Sequence, residues 1–204
     1  MAEPAAPEAL DPGEEARSLW YALISRLFYA PPDSELLMGL SAGLADGADE
    51  GESAFLKTWR ALQLACRGAE PQALREEFEG LFVGVGKAPV TPYTSSYAAS
   101  HAPDRHLLEL KERLGGWGLG RRERVFEAED HVSALCDAMR WLIAQGRPLE
   151  EQREFFNRFV ASGVPLFCDA IKRSPTANFY RTVGEFTSAF VAVENDAFDM
   201  HTAT

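Results

Sequence analysis

Apolar residues recur along most of this chain three and four positions apart, the spacing of one helix face, and nowhere in the alternation of a half-buried strand. The first run is Ala16, Leu19, Trp20, Leu23, Ile24, Leu27 and Phe28. It follows Asp11-Pro12-Gly13-Glu14, which supplies an N-cap, a proline at the first helical position and an acid at the third. Pro31-Pro32 ends that helix, and Asp33 or Ser34 starts a shorter one carrying Leu36, Leu37, Leu40 and Leu44. A third runs from about Ser53 to Arg67 with Phe55, Trp59, Leu62 and Cys66 on one side, and Glu70-Pro71 opens a fourth with Leu74, Phe78, Leu81 and Phe82. Pro103 opens a helix bearing Leu107, Leu110 and Leu114, closed by Gly115-Gly116.

The strongest later stripe is Val132, Leu135, Cys136, Met139, Leu142 and Ile143, for which Asp130 reads as N-cap and His131 as a first-turn residue. Phe155, Phe156, Phe159 and Val160 mark a helix after Pro148, and Gly163-Val164-Pro165 begins a short one through Ile171. Phe179, Val183, Phe186, Phe190 and Val193 stripe a long last helix that loosens from Asn195. The pattern predicts an all-α chain of about eight to ten helices, either one globular domain or two lobes sharing a core. Residues 11–194 form that unit, with a hinge near 115–131 and flexible tails at 1–10 and 195–204.

Two stretches break the pattern. Gly84 to Tyr97 holds two glycines, two prolines and no periodicity, which predicts a long loop of the kind that carries function. Its Gly84-x-Gly86-Lys87 lacks the spacing and the Lys-Ser/Thr ending of a phosphate-binding loop, and no strand precedes it. The second stretch, Phe126-Glu127-Ala128-Glu129-Asp130-His131, packs three carboxylates and an imidazole ahead of a helix. A carboxylate at that N-terminus faces the positive end of the macrodipole. His131 there resists protonation, while Glu127 and Glu129 pull the other way. The acidic run from Asp46 to Glu52 reads as a solvated connector, and Arg121-Arg122-Glu123-Arg124 as a basic one.

A net charge of −11 argues against a nucleic-acid backbone and for attraction to basic ligands, and 46% apolar residues in 204 allow a sizeable core. Residues 1–60 hold eleven acids against four bases, most of the chain's excess. Cys66, Cys136 and Cys168 lie in apolar helical patterns without CxxC pairing, which predicts buried free thiols in a reducing compartment. The acidic opening Met1-Ala2-Glu3-Pro4 and the lack of a long apolar run predict a cytoplasmic chain without stable membrane insertion. His101, His106, His131 and His201 match no zinc motif. Glu127, Asp130 and His131 could nonetheless assemble a metal-assisted hydrolase or an acid/base pair, which is the alternative to a binding site.

Three features together resemble the TorD/DmsD/NarJ family of redox-enzyme maturation chaperones: a helix ending in Leu81-Phe82-Val83-Gly84, the loop Pro92-Tyr93-Thr94-Ser95-Ser96-Tyr97, and Glu127-Ala128-Glu129-Asp130-His131. The family signature at the last is Glu-Pro-x-Asp-His, and Ala128 stands where the family has proline. The resemblance implies an all-helical chaperone that binds the twin-arginine leader peptide and the apo form of a molybdopterin oxidoreductase catalytic subunit. Such a chaperone delays export until the cofactor is inserted. Position by position it implies Phe82, Gly84, Pro92, Tyr93, Ser95, Tyr97, Glu127, Asp130 and His131 as leader-binding or groove-shaping residues. No catalytic role, bound cofactor, metal or nucleic-acid partner follows. A monomer or a helix-exchanged homodimer is expected. Carboxylates would meet leader arginines, and the aromatic and proline side chains would form an apolar wall.

Overall fold

The computed structural model describes residues 10–43, 51–83, 88–120 and 128–200. Among them are ten α-helical segments and no strand: α1 (Pro12–Tyr29), α2 (Ser34–Ala42), α3 (Ala54–Arg67), α4 (Pro71–Phe78), α5 (Ser95–Ala98), α6 (Pro103–Gly116), α7 (Val132–Ala144), α8 (Leu149–Phe155), α9 (Val164–Arg173) and α10 (Phe179–Met200). Helix α4 continues into a π-helical turn over Glu79–Val83, and α8 into another over Phe156–Val160. The predicted starts of the first three helices hold. Asp11 accepts from the Gly13 and Glu14 N–H groups, Asp33 from Leu36, and the Ser53 hydroxyl from Leu56. The acidic connector from Asp46, Leu44, Gly84, the Arg121 to Arg124 island, Glu127 and His201 lie wholly or partly outside the described residues, as do residues 121–127 of the expected hinge.

Helix α1 lies along α7, and α10 packs between α9 and α3. Where α1, α4, α9 and α10 converge, Phe28, Phe78, Phe82, Phe167 and Tyr180 interlock, with Phe82 edge-on to Tyr180 at 5.1 Å and Phe28 edge-on to Phe167 at 5.0 Å. Farther along α10, Trp20, Phe55, Trp59 and Phe186 form a second aromatic cluster. All three cysteines are free and buried, as their apolar settings predict. Burial lifts the Cys66 thiol to about 11 and that of Cys168 to about 12, so they pack as small apolar groups. Among the described residues no helix is long and apolar enough to cross a membrane.

Two stripes depart from expectation for one reason. Leu19 is 63% exposed while Tyr21 is buried, and on α10 Val193 is 47% exposed while Glu194 is 2% exposed. The faces of α1 and α10 that meet are set by a polar network. The Arg17 guanidinium donates to both Glu194 oxygens at 2.8 and 2.9 Å, the Tyr21 hydroxyl donates to Glu194 at 2.8 Å, and Arg17 also reaches Gln152 at the start of α8. Burial alone would lower the Arg17 pKa. The hydrogen bonds and charge of Glu194 outweigh it, and the net shift is upward. Helix α10 also runs past Asn195 to Met200, with Phe198 buried against Phe156 and beneath Arg17.

Candidate functional site

The two unpatterned stretches meet. Backbone from Pro92 to Ser95 runs beside Asp130 to Val132 as an antiparallel bridge between Tyr93 and His131. The Val132 N–H donates to the Pro92 carbonyl at 3.0 Å. The Thr94 N–H and hydroxyl both donate to the Asp130 carbonyl, at 2.9 and 3.0 Å. The Ser95 N–H completes the set with a longer bond of 3.4 Å to the Asp130 carboxylate. These bonds fix the loop to the start of α7 without any regular sheet.

Asp130 is therefore not the N-cap. Helix α7 starts one residue later, and His131, extended at φ −62° and ψ 136°, caps it by accepting from the Ser133 N–H on Nδ1 at 3.2 Å. An accepting Nδ1 is unprotonated, which puts the ring proton of a neutral imidazole on Nε2. The same ring stands edge-on to Tyr93 at 5.5 Å. The Ser133 hydroxyl donates to the Ser25 carbonyl, tying the start of α7 to α1. Both signature side chains are buried, Asp130 at 4% exposure and His131 at 6%.

The loop is shorter than its sequence suggests. Residues Ser95–Ala98 close into α5, because the Tyr97 and Ala98 N–H groups donate to the Thr94 carbonyl. Upstream, the Val90 N–H donates to the Leu81 carbonyl within the π-turn, which ties Val90 to the end of the α4 segment. The Tyr97 hydroxyl donates to the Thr91 carbonyl at 3.0 Å, and its ring rests on Phe167. Gly163, just before α9, comes so close to Thr94 that a Cβ there would sit 2.9 Å from the Thr94 Cβ and carbonyl oxygen.

Of the sequence-derived residues, Pro92, Tyr93, Ser95, Tyr97, Asp130 and His131 come together, with Phe82 beneath them as an 8% exposed core residue touching Phe28 and Phe167. Gly84 and Glu127 lie outside the described residues. Tyr93 and Tyr97 are half-buried, and so is Glu129, which pairs with Lys111 at 3.7 Å. Sequence reasoning missed Thr94, Ser25, Ser133 and Gly163. Each acts through a partner far along the chain, and no local spacing encodes it. It also missed His106, buried on α6 against Phe159. Burial, then Arg158, holds the His106 imidazole below its ordinary value, while Glu109 and Asp130 pull it up.

Among the described residues no three His, Cys, Asp or Glu side chains are placed to hold one ion; Glu127, the third member of the alternative donor set, lies outside them. His131 Nδ1 and one Asp130 oxygen already serve backbone N–H groups. What the arrangement offers is a hydrogen-bonded unit that holds the half-buried rings of Tyr93 and Tyr97 at its surface over the buried Pro92, with Glu129 beside them.

The model of the nitrate reductase delta subunit family matches residues 48–169, more than half of the chain and inclusive of both site segments. The chain belongs to that family, the TorD/NarJ family of chaperones. Chaperone protein TorD of Vibrio parahaemolyticus serotype O3:K6 (strain RIMD 2210633) is 23% identical over 134 residues, 60% of this chain and 62% of the relative. The chain thus spans less than two thirds of that relative's length. Within the family match, the Asp130-His131 signature and the Pro92-to-Tyr97 loop form one hydrogen-bonded unit.

Proposed function

We propose that the chain is a system-specific chaperone for a redox enzyme, acting in the cytoplasm on the apo catalytic subunit of a molybdopterin oxidoreductase. It binds that subunit's N-terminal twin-arginine leader and delays export until the cofactor is in place. It performs no turnover of its own and needs no cofactor. The observation that carries this reading is the pinning of Pro92 to Ser95 onto Asp130 to Val132, which joins the two family segments into one preformed surface. A preformed surface lowers the ordering cost of holding an extended peptide. The net charge of −11 draws a basic leader toward it.

Because Asp130 and His131 are buried and bonded to backbone, they shape the surface. Tyr93, Tyr97 and Glu129 are the groups that meet the peptide. Ala128 in place of the family proline leaves the N–H of residue 128 available as a donor. The test is capture of partners by the tagged chain from its native cytoplasm, identification by mass spectrometry, and titration of the recovered partner's synthetic N-terminal peptide. The expected result is a large molybdopterin oxidoreductase precursor whose leader binds more weakly in high salt and to His131→Ala. Absence of such a precursor under conditions where those enzymes are made would refute the reading.

A further inference from the structure

A second concavity lies away from the pinned loop. The C-terminal turn of α3, the length of α4 and the first turn of α10 enclose a cavity of about 370 Å³, within the range that holds small ligands and side chains. Its walls are small, Ala65, Gly68, Ala69 and Ala73, and its floor is Leu74 and Phe179. No cationic side chain lines it. Two carboxylates do, and they differ in what they already hold.

Glu77 is committed. Its oxygens accept from the N–H groups of Asn178, Phe179 and Tyr180 at 2.8, 3.1 and 2.9 Å, capping α10 from another helix and using up the attraction of that N-terminus for an outside anion. Glu70 is not. It sits at the N-cap position of α4, where its carbonyl accepts from the Leu74 N–H, yet its side chain makes no cap bond and has no ion-pair or hydrogen-bond partner among the described residues. An exposed carboxylate at the mouth of an apolar slot fits a cation on an apolar stem. Arginine has that form: its methylenes would lie along Ala73 and Leu74, and its planar guanidinium could bond Glu70 in two places.

Helix α4 runs from the cavity to the buried aromatic cluster beneath the proposed leader surface. From Glu70 to Phe82 the helix rises about 18 Å, a span that about five or six extended residues cover. Tyr180 contacts Phe78 and Phe82, and its neighbour Phe179 is the cavity floor. Resting on the leader-binding reading, we infer that the cavity between α3, α4 and α10 is an arginine-docking subsite, with Glu70 as its counter-ion, for a basic residue of a leader lying along α4.

The experiment has two arms on the full chain. In the first, backbone amide NMR follows titration with N-acetyl-arginine methylamide and with the uncharged citrulline analogue. Shifts at Ala69, Ala73 and Thr182 with arginine, absent with citrulline and in Glu70→Gln, support the subsite. No shifts there, or equal shifts with both probes, overturn it. In the second, calorimetry measures a synthetic peptide carrying two adjacent arginines ahead of an Ala/Leu run. Glu70→Gln should weaken it about fivefold, and Ala73→Leu, which fills the slot, should do the same. Unchanged affinity in both variants overturns the link to the leader even if the arginine probe binds. Loss of all peptide binding in wild type would instead remove the leader reading, with the first arm still deciding the subsite.

Discussion

Replacing His131 with alanine removes two contacts that the structure separates. One is the cap: Nδ1 no longer accepts from the Ser133 N–H, a loss of about 1 kcal/mol. The other is the edge-on contact with Tyr93 at 5.5 Å, worth about 1 kcal/mol in a buried setting. Together they come to about 2 kcal/mol. For a chain of this length each kcal/mol moves the melting temperature by about 2–4 °C, so His131→Ala should melt about 4–8 °C lower. Asparagine caps helices well and has no ring. His131→Asn should therefore recover about half of that loss while leaving Tyr93 unsupported. Thermal unfolding followed by circular dichroism checks the stabilities, and peptide calorimetry checks the surface. The reasoning fails if asparagine and alanine melt alike, or if alanine costs less than about 2 °C. If asparagine restores stability but not peptide affinity, the Tyr93 contact is what the surface needs.

Glu194→Ala should cost about 3 kcal/mol by removing the two-oxygen partner of Arg17, which keeps only the Glu14 carboxylate, and the acceptor of the Tyr21 hydroxyl; Arg17→Met combined with Glu194→Met should regain most of it in urea unfolding. Gly163→Ala should cost about 1–3 kcal/mol through the 2.9 Å approach to Thr94, and peptide affinity should fall with it because Thr94 holds Asp130. The folded pKa of His106 is lowered, by burial first and Arg158 second, so the unfolded chain binds the extra proton. Its contribution is fully present above the ordinary imidazole value of 6.5 and is lost as pH falls from there through the folded value; His106→Asn should flatten urea stability across that window. Peptide affinity should lose part of its salt dependence in Glu129→Gln and keep it in Asp130→Asn, since the Glu129 side chain, paired with Lys111, keeps 18% exposure while Asp130 has 4%.

Legibility in the sequence followed how local the cause was. The stripe from Val132 to Ile143 and the run from Phe155 to Val160 are buried as read, because a single face of each helix turns inward and every residue on it is apolar. The stripes on α1 and α10 failed at Leu19 and Val193 because the deciding partners, Arg17 and Glu194, are 177 positions apart and polar. Hydrophobic periodicity gives no weight to a buried carboxylate whose charge is met. At the site, the motif residues were found by pattern and their roles were not. The cap was read one residue early, at Asp130: His131 fills it, and the Asp130 carboxylate serves Ser95, a residue on the far side of the loop. Gly163 read as a helix break. Its close approach to Thr94 is a tertiary fact that one sequence does not carry.

The burial of the signature pair changes what the signature is for. An acidic residue matched to leader arginines ought to stand in solvent, where a guanidinium can reach it without displacing backbone. Asp130 is instead 4% exposed and holds the Ser95 N–H, while its carbonyl takes both donors of Thr94. Opening that arrangement to admit an arginine would leave backbone donors unpaired, at about 1–3 kcal/mol for each one left buried. The alternative keeps the unit shut and places recognition on the surface it holds: the Tyr93 and Tyr97 rings for the apolar stretch, and the half-buried Glu129 and exposed Glu70 for the charges. On that view Asp130 and His131 set where the rings stand. Selectivity among clients then rests on rim residues, whose side chains can change without disturbing the hydrogen bonds that build the site.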